Sequence, residues 1–417
     1  MEDLFKKIYN NKGDIGKWAS LAEGYFVFPK LEGPISNRMR FNGKEIIIWS
    51  VNDYLGLANH PEVRKIDSDA SKEYGSAYPM GARMMSGHTS MHEELESKLA
   101  SFVSKESTYL LNFGYQGVLS IIDTLVSKND IIVYDIASHA CIVDGARLHL
   151  GKRFTYQHNN MKSLEKNLIR ATKIAEQTGG GILVITEGVF GMRGEQGKLK
   201  EIVKLKDKYK FRFLVDDAHG FGTLGKTGAG TGEEQDVQDN IDVYFATFAK
   251  SMASTGAFIA GDAEIIEYLK YNMRSQMFAK SLQMQLVIGV IKRLEILQKN
   301  TKLKDKLWEN VTIIQKGLKD RGFDIGNTQS CVTPVYLEGS IPEAMALVRD
   351  LRENYHIFCS IVVYPVIPKG LILLRLIPTA SHTIEDINLT LEAFGEIRKK
   401  LKKGIYKKIS ASIETSN

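Results

Sequence analysis

Residues 55 to 265 alternate between short apolar runs and amphipathic helical patterns, and this alternation constrains the fold more than any other feature of the chain. The clearest strands are STYLLN (107–112), DIIVYD (130–135), GILVITEG (181–188), FRFLVDD (211–217) and DVYFATF (242–248). Strands that are apolar almost throughout are typical of a sheet that helices cover on both faces. The pattern therefore predicts an α/β domain with a mostly parallel central sheet.

The segments on either side of this region have other patterns. A helical region runs from about 263 to 322, and strands near 331–337, 358–363 and 371–376 predict a smaller α+β domain. At the start of the chain a helical arm leads into a hairpin whose Asn42-Gly43 pair favours a tight turn. The predicted organisation is an N-terminal arm and hairpin (1–55), a large domain (56–290) and a small C-terminal domain (291–417).

Composition narrows the classes of function. Lys and Arg number 55 against 49 Asp and Glu, and the net charge of +6 is too small to argue for nucleic-acid binding, although it favours an anionic substrate or carrier. Much of the excess lies in RKKLKKGIYKK (398–408). That run is either the solvated end of the last helix or a contact for an acidic carrier protein or an anionic membrane surface.

Cysteine usage and the N-terminus indicate a location. Three widely spaced cysteines, Cys141, Cys331 and Cys359, fit a reducing compartment and predict no disulfide framework. MEDLFKKIYNNKGD lacks the apolar core of a signal peptide, and the apolar runs fall short of the roughly 18 residues of a membrane helix. We expect a soluble, cytoplasmic protein.

One motif suggests nucleotide binding, but its context argues against that function. GFGTLGKT (220–227) satisfies the G-x-x-x-x-G-K-[ST] pattern of a phosphate-binding loop. Such a loop runs directly from a strand into a helix, so that backbone amides converge on a phosphate. Here Asp216 to His219 intervene, and the glycine-rich segment that follows does not begin an apolar helix. We interpret the match as accidental.

Polar residues follow the predicted strands at the edge where parallel sheets bind ligands. Taken singly they are ambiguous: Asp216 could be a metal ligand, although further ligands at suitable spacing are not obvious, and His139 or Lys250 could be structural. Together they supply a phosphate cradle, a carboxylate, two imidazoles and an amine, which are the groups that hold pyridoxal 5′-phosphate (PLP). The cradle would consist of Phe113, Gly114, Tyr115 and Thr247. The carboxylate is Asp216, the imidazoles are His139 and His219, and the amine is Lys250.

Six stretches make this interpretation specific. They are NDYLGL (52–57), SHACIVDGARL (138–148), TEGVFGMRG (186–194), VDDAHGFGTLGKTGAG (215–230), TFAKS (247–251) and LRLIPTASHT (374–383). In these motifs and their order, the chain resembles the α-oxoamine synthases, a fold-type I PLP-dependent transferase family that includes serine palmitoyltransferase and 8-amino-7-oxononanoate synthase. The resemblance spans about residues 50 to 385 and implies a large PLP-binding domain with a smaller C-terminal domain.

The resemblance also implies a role for each motif residue. Lys250 would hold the cofactor covalently and later remove the α-proton of the amino acid. The family's site lies at a homodimer interface, and Ser281 in MFAKSL (277–282) matches the segment that the second copy supplies to the phosphate. The remaining roles are pairing with the pyridine nitrogen (Asp216), a hydrogen bond to the phenolic oxygen (His219), stacking on the ring (His139), binding of the substrate carboxylate (Arg375) and proximity to the substrate (Asn52, Tyr54).

The implied reaction is a decarboxylative condensation of an amino acid with an acyl thioester, carried by CoA or by acyl carrier protein. Segment 74–96 resembles the part of relatives that shapes the substrate pocket, so Arg83 is a candidate substrate contact, and its methionines suit an acyl channel or plain core packing. Lys280 stands where relatives carry a small residue, and it either contacts phosphate or solvent or favours an anionic amino acid such as cysteate.

We expect transfer of a long acyl chain onto a small polar amino acid as the first step of a sphingolipid-type pathway. Serine is the first choice, and cysteate, for sulfonolipids, is the second. Glycine C-acetyltransferase or 8-amino-7-oxononanoate synthase activity is a further alternative. The small residues after Lys250, in SMASTGAF, are expected to leave room for the substrates.

Overall fold

The computed structural model of the protein describes residues 3–10, 13–16 and 22–414. Its strands are β1 (Leu31–Glu32), β2 (Arg38–Phe41), β3 (Lys44–Ile48), β4 (Ser107–Leu111), β5 (Ile131–Asp135), β6 (Lys152–Tyr156), β7 (Ile182–Glu187), β8 (Arg212–Asp216), β9 (Val243–Thr247), β10 (Ala257–Gly261), β11 (Thr333–Glu338), β12 (Ile357–Phe358), β13 (Ser360–Val362) and β14 (Leu371–Leu376). Its α-helices are Leu4–Asn10, Gly13–Gly16, Pro61–Tyr74, Ser90–Phe102, Gly114–Leu125, Ala140–Leu148, Met161–Thr178, Leu199–Lys204, Thr231–Glu234, Ala263–Asn272, Arg274–Met277, Met284–Lys299, Lys302–Asp320, Ile341–Asn354, Ile384–Lys402 and Ile405–Glu414. Within these described ranges, none of the helices has both the length and the apolar character needed to cross a membrane.

The chain divides into two compact units, one of residues 52–306 and one of residues 1–51 with 307–417. The first is built on a seven-stranded sheet with the order β4-β10-β9-β8-β7-β5-β6. Its strands are parallel except for β10, which runs antiparallel to both neighbours. The five predicted strands are confirmed to within one residue at each end, and β5, β7 and β9 are buried at every position, as strands covered on both faces should be.

Two strands of this sheet were not predicted. β6, KRFTY, is an edge strand in which most side chains are exposed or half-buried, so it lacks the apolar run that identified the others. β10, AFIAG, is fully buried in the sheet interior. Of the small residues in SMASTGAF, Ala257 is therefore a core residue of this strand, and the expectation that it leaves room for substrates is wrong.

The second unit contains a sheet with the order β1-β2-β3-β12 and a three-stranded sheet with the order β11-β14-β13. The predicted hairpin is confirmed: β2 and β3 are antiparallel, and Asn42 and Gly43 both have the positive φ of a tight turn, 49° and 76°. The predicted N-terminal arm corresponds in part to the helices Leu4–Asn10 and Gly13–Gly16. Residues 1–2, 11–12 and 17–21 lie outside the described residues, and residues 23–37 form turns and the strand β1 rather than a helix.

The two units divide the chain differently from the three predicted segments. Residues up to 51 join the C-terminal part because β3 pairs in parallel with β12, and because the Trp49 indole donates a 3.0 Å hydrogen bond to Thr390 Oγ1. The predicted boundary at 290 falls inside the helix Met284–Lys299. Arg293 of that helix donates to both carboxylate oxygens of Asp67, at 2.8 and 2.7 Å, which keeps the helix in the unit of residues 52–306.

The loop that resembles a nucleotide-binding motif is filled by the chain's own carboxylates. The amides of Thr227 and Ala229 donate to the Glu233 carboxylate at 3.1 and 3.0 Å, and the amide of Gly225 donates to Glu234 Oε2 at 2.9 Å. These are the donors that a phosphate would need. The α-helix that follows this loop, Thr231–Glu234, has only four residues. The arrangement supports the interpretation of the motif as accidental.

Candidate active site

Polar side chains gather at one edge of the seven-stranded sheet, where the carboxyl ends of its parallel strands lie. Asp216 is the last residue of β8 and Thr247 the last of β9, while His139 and Gly114 follow β5 and β4 within a few residues. Sheet topology therefore brings together residues that are up to about 140 positions apart, at the edge where such sheets bind ligands.

Asp216 is a buried carboxylate with modest hydrogen bonding. It accepts the amide of Ala218 at 3.1 Å and the thiol of Cys141 at 3.7 Å. Burial raises the pKa of Asp216, and the charge of Lys250 is the largest influence in the opposite direction. The carboxylate form therefore depends on a nearby cation, which Lys250 supplies and a protonated ring nitrogen could also supply.

A second buried carboxyl group, Glu187, lies directly beside Asp216, and sequence reasoning assigned it no role. The two residues are paired across β7 and β8, and Glu187 Oε1 accepts the amide of His139 at 2.6 Å. Burial, reinforced by the charge of Asp216, raises the pKa of Glu187 well above its usual value. A signal was present in the sequence, because Glu187 ends an apolar strand as Asp216 does.

Lys250 lies in the tight connection between β9 and β10. Its carbonyl accepts the amide of Ala253 at 2.9 Å, and Ala253 has a φ of 44°, which is unusual for a residue with a side chain. The connection is closed by the Phe248 amide, which donates to the Gly256 carbonyl at 2.9 Å. Lys250 is half-buried, and its charge acts on the pKa of both Asp216 and His139.

The two histidines predicted for the ring have different surroundings. His139 is the N-cap of the helix Ala140–Leu148, and its Nδ1 accepts the amide of Cys141 at 3.3 Å. Desolvation and the charge of Lys250 outweigh the attraction of Asp216 and lower the pKa of His139, so its imidazole is neutral at pH 7. His219 is buried, and its Nδ1 lies 2.6 Å from the hydroxyl of Tyr54.

Close packing places a backbone segment against the other nitrogen of His219. A Cβ atom added at Gly191 would lie 2.2 Å from His219 Nε2, so only glycine fits there. The loop after β7 thus contacts the His219 imidazole at Nε2, and the Tyr54 hydroxyl contacts it at Nδ1. Tyr54 was predicted to lie near the substrate, and its contact with His219 puts it at the same edge of the sheet.

The residues predicted for the phosphate cradle lie close to one another. The helix Gly114–Leu125 begins at Gly114 without a side-chain cap from Phe113, and a Cβ atom at Gly114 would lie 3.3 Å from Thr247 Oγ1. Uncapped amides at a helix N-terminus are a natural anion site, and a small residue lets an anion approach them. Phe113 and Tyr115 are exposed, and the Tyr115 hydroxyl donates to Asp144.

Lys280 lies beside this cradle, because its carbonyl accepts the side-chain amide of Asn112 at 2.6 Å. The next residue, Ser281, is buried, and its hydroxyl lies 2.8 Å from the carbonyl oxygen of Gly87. Asn52 lies in the same unit, and its carbonyl accepts the amide of Tyr54 at 2.9 Å. Arg375 belongs to the other unit, where it is half-buried on β14, and its predicted role stays a prediction.

Arg83, predicted to contact substrate, is held in a buried network. Its guanidinium forms an ion pair with Glu96, lies 2.9 Å from His88 Nδ1 and stacks 4.7 Å from the centre of the Tyr109 ring. Glu96 also accepts the amide of Leu110 at 2.8 Å, which joins the helix Ser90–Phe102 to β4. These partners favour a structural role over substrate binding.

Arg83→Met is accordingly expected to lower the free energy of unfolding by about 3 kcal/mol, since it leaves Glu96 buried without its cation. Urea unfolding would measure the loss. The KM for the amino acid should stay within about twofold of wild type. A large rise in KM with unchanged stability would restore Arg83 to the substrate site.

Comparisons with known proteins agree with this geometry. The family model "Aminotransferase class I and II" matches residues 44–394. A cysteate-C-fatty acyltransferase of Capnocytophaga ochracea is 70% identical over 413 residues, which cover 99% of this chain and 98% of the relative. A serine palmitoyltransferase of Sphingobacterium spiritivorum is 35% identical over 368 residues, 88% of this chain and 90% of the relative.

A solved structure is similar over almost the full length. The serine palmitoyltransferase from S. paucimobilis with a bound PLP–myriocin aldimine superposes with a TM-score of 0.87 at 28% identity, covering 95% of this chain and 98% of that one. The fold-type I architecture expected from the motifs is confirmed. The chain belongs to the aminotransferase class I and II family, and its predicted resemblance to the α-oxoamine synthases is confirmed.

Proposed function

We propose that this chain is a PLP-dependent C-acyltransferase that condenses L-cysteate with a long-chain fatty acyl thioester, releasing the thiol and CO₂, as an early step towards sulfonolipids. The observation that carries the choice of amino acid is the 70% identity, over nearly the whole chain, to a relative named for cysteate. Serine, the first choice from the sequence, is the second candidate, because serine palmitoyltransferases are relatives at half that identity.

The residues at the sheet edge fit PLP. The buried carboxyl groups of Asp216 and Glu187 lie side by side, and a protonated ring nitrogen would supply the cation that such a pair requires. Gly114 leaves its helix N-terminus open beside Thr247, as a phosphate requires. When bound, the cofactor supplies an aldehyde that links to amines and a ring that accepts the electron pair released at the α-carbon.

The chain's own residues would divide the work. Lys250 anchors the cofactor and then moves the proton at the α-carbon of the amino acid. Asp216, as a carboxylate, holds the proton on the ring nitrogen, and the neutral imidazole of His139 lies along the ring face. His219, whose Nδ1 lies 2.6 Å from the Tyr54 hydroxyl, would hydrogen-bond the phenolic oxygen. The phosphate binds to the amides of Phe113, Gly114 and Tyr115 and to Thr247.

Recognition of the amino acid would need cations. Within the unit of residues 52–306, Asn52 and Tyr54 would lie near the substrate, and binding of the α-carboxylate by Arg375 stays the prediction made from the sequence. Lys280, whose backbone is tied to Asn112 next to the cradle, supplies the charge for a sulfonate. A sulfonate is anionic at all physiological pH values, so a lysine that meets it distinguishes cysteate from serine by a full charge.

A homodimer would complete the site. Phe113, Tyr115 and Phe278 are exposed around the cradle, with Phe278 81% accessible, and large apolar side chains in this position favour burial by a second copy. That copy would bring its own Ser281 to the phosphate. The donor thioester is carried by CoA or acyl carrier protein, both of which are acidic partners for a chain with a net charge of +6.

Replacing Lys280 tests the proposed substrate. Lys280→Ser is expected to lower kcat/KM for cysteate by about tenfold to a hundredfold, which is the range for losing one charged hydrogen bond. The value of kcat/KM for serine should stay nearly the same. Thiol release from palmitoyl thioester would be followed with each amino acid. Lys270→Ser, on an exposed helix end, is the matched control. Equal losses for the two amino acids, or wild-type preference for serine, would contradict the cysteate assignment.

A further inference from the structure

His158 lies between two carboxylates at the edge of the sheet that carries the candidate site, and the proposed chemistry does not use it. Its Nδ1 is 3.1 Å from Asp135 Oδ1, and its Nε2 is 2.6 Å from Glu195 Oε2. The His158 side chain is 15% accessible, and that of Asp135 is fully buried. The ring of Phe190 packs edge-on against the imidazole, 4.4 Å between centroids.

Each carboxylate belongs to a segment that leads to the site. Asp135 ends β5, and its Oδ1 also accepts the amide of Ala137 at 2.8 Å, which fixes the turn leading to His139. On its other oxygen Asp135 accepts the amide of Asn159 at 2.9 Å, so the segment of His158 itself is held to the same turn. The same turn is also held by the Ile136 amide, which donates to the Tyr156 carbonyl at 2.9 Å, and by the His139 amide, which donates to Glu187 Oε1 at 2.6 Å.

Glu195 belongs to the loop of residues 188–197 after β7. Within that loop the Glu195 carbonyl accepts the amide of Phe190 at 2.9 Å. Gly191, which follows Phe190 in the chain, packs directly against His219. A displacement of Glu195 would therefore move the backbone that touches His219. The loop is also tied to Asn159, whose side-chain amide donates to the Gln196 carbonyl at 2.9 Å.

The imidazole of His158 meets an acceptor at both nitrogens, so it donates twice only when it is protonated. The charged groups that face it are Asp135 from β5 and Glu195 from the 188–197 loop, and Asn159 and Phe190 are neutral neighbours. Burial alone would lower the pKa of His158, but the hydrogen bonds and charges of the two carboxylates raise it above the ordinary 6.5. The carboxylates of Asp135 and Glu195 therefore stabilise the protonated imidazole that lies between them.

We propose that the His158 imidazolium is a positioning residue, which clamps the turn carrying His139 to the loop packed on His219 and so fixes the spacing of the two imidazoles that hold the cofactor ring. The clamp itself stands on contacts within this chain. Its consequence for the cofactor rests on the proposed function.

Hydrogen exchange on the cofactor-free protein and the PLP-bound protein tests the clamp, with Glu195→Gln and His158→Gln as variants. Both remove the ion pair between His158 and Glu195. Amides in 136–140 and 189–195 are expected to exchange roughly tenfold faster in each variant, the effect of losing one charged hydrogen bond. PLP should bind about tenfold more weakly. If His158→Gln does not fold, Glu195→Gln decides, because it replaces a carboxylate by an amide of equal size.

His149→Gln is the matched control. His149 is a buried histidine of the same unit, and its Nε2 lies 2.9 Å from the carbonyl oxygen of Asp130, which precedes β5 at the opposite edge of the sheet. The His149→Gln variant should leave the amide exchange rates in 136–140 and 189–195 and the affinity for PLP unchanged, even if the free energy of unfolding falls. Histidine NMR of the wild type should give His158 a pKa above 6.5 that falls in Glu195→Gln.

The proposal would be overturned if the amides of 136–140 and 189–195 exchanged at the same rates in His158→Gln as in His149→Gln. A wild-type protein that does not bind PLP would instead refute the proposed function. In that case the exchange rates of the cofactor-free protein would still decide whether the clamp exists.

Discussion

Lys250→Ala should give a protein that no longer develops a visible absorption band with PLP and that turns over at about one thousandth of the wild-type rate. The band depends on covalent attachment of the cofactor to an amine, and the rate depends on a base at the α-carbon. Lys250 is half-buried and acts electrostatically on Asp216 and His139, so it is the amine that the site provides. Absorbance titration and thiol release measure the two effects.

Lys226→Ala is the matched control for this experiment. Lys226 is an exposed lysine in the loop that resembles a nucleotide-binding motif, and the amides around it are bonded to Glu233 and Glu234. The variant should keep both the band and the rate. Persistence of the band in Lys250→Ala would mean that PLP is attached elsewhere, and measurable ATP binding lost in Lys226→Ala would revive the nucleotide interpretation.

Asp216→Asn has the second largest expected effect, a fall in turnover by roughly a hundredfold to a thousandfold. An amide has no charge with which to hold a proton on the ring nitrogen, so the ring accepts electrons poorly from the α-carbon. The band should remain, since Lys250 is intact, but its position and its pH dependence should change. Spectra recorded from pH 6 to 9 and single-turnover kinetics would show both changes.

Asp217→Asn is a neighbouring control of the same chemistry. Asp217 is fully buried and accepts three hydrogen bonds, two from Thr231 and one from the hydroxyl of Tyr244, and burial raises its pKa to about 7. An amide nitrogen there would face donors, so we expect a loss of about 2 kcal/mol in the free energy of unfolding. The visible spectrum should be that of the wild type. A spectral change equal to that of Asp216→Asn would contradict the division of roles.

Most of the sheet could be predicted because its inner strands are apolar on both faces. β6 could not, because an edge strand with Lys152 and Arg153 exposed carries little of that signal. β10 was missed for another reason: its alanines and glycine suggest open space when read one residue at a time, and only pairing with β4 and β9 makes them core. The pairing of β3 with β12, some 310 residues apart, has no local signature.

The site shows the same division between local and long-range information. Asp216 and Thr247 end their strands and Gly114 follows β4 by three residues, so strand prediction and the rule for parallel sheets were sufficient to group them. The ion pair between Arg83 and Glu96 could not be predicted, because its two partners lie on different elements and a buried ion pair cannot be inferred from one sequence. The bridge made by His158 also depends on two carboxylates distant in the chain, Asp135 and Glu195, and the residues next to His158 in the sequence give no indication of either.

The antiparallel strand β10 has a consequence for how the protein folds. Thr247 and Ala257 are paired and only ten residues apart, so Lys250 lies in a β-hairpin that can form from local sequence alone, in about 1–10 μs for such elements. Asp216 and His139 reach their places only after parallel strands have paired across long loops, which is slow. The lysine's loop is thus expected to be shaped before the pocket around it exists, and changes in hairpin length would shift the amine without unfolding the sheet.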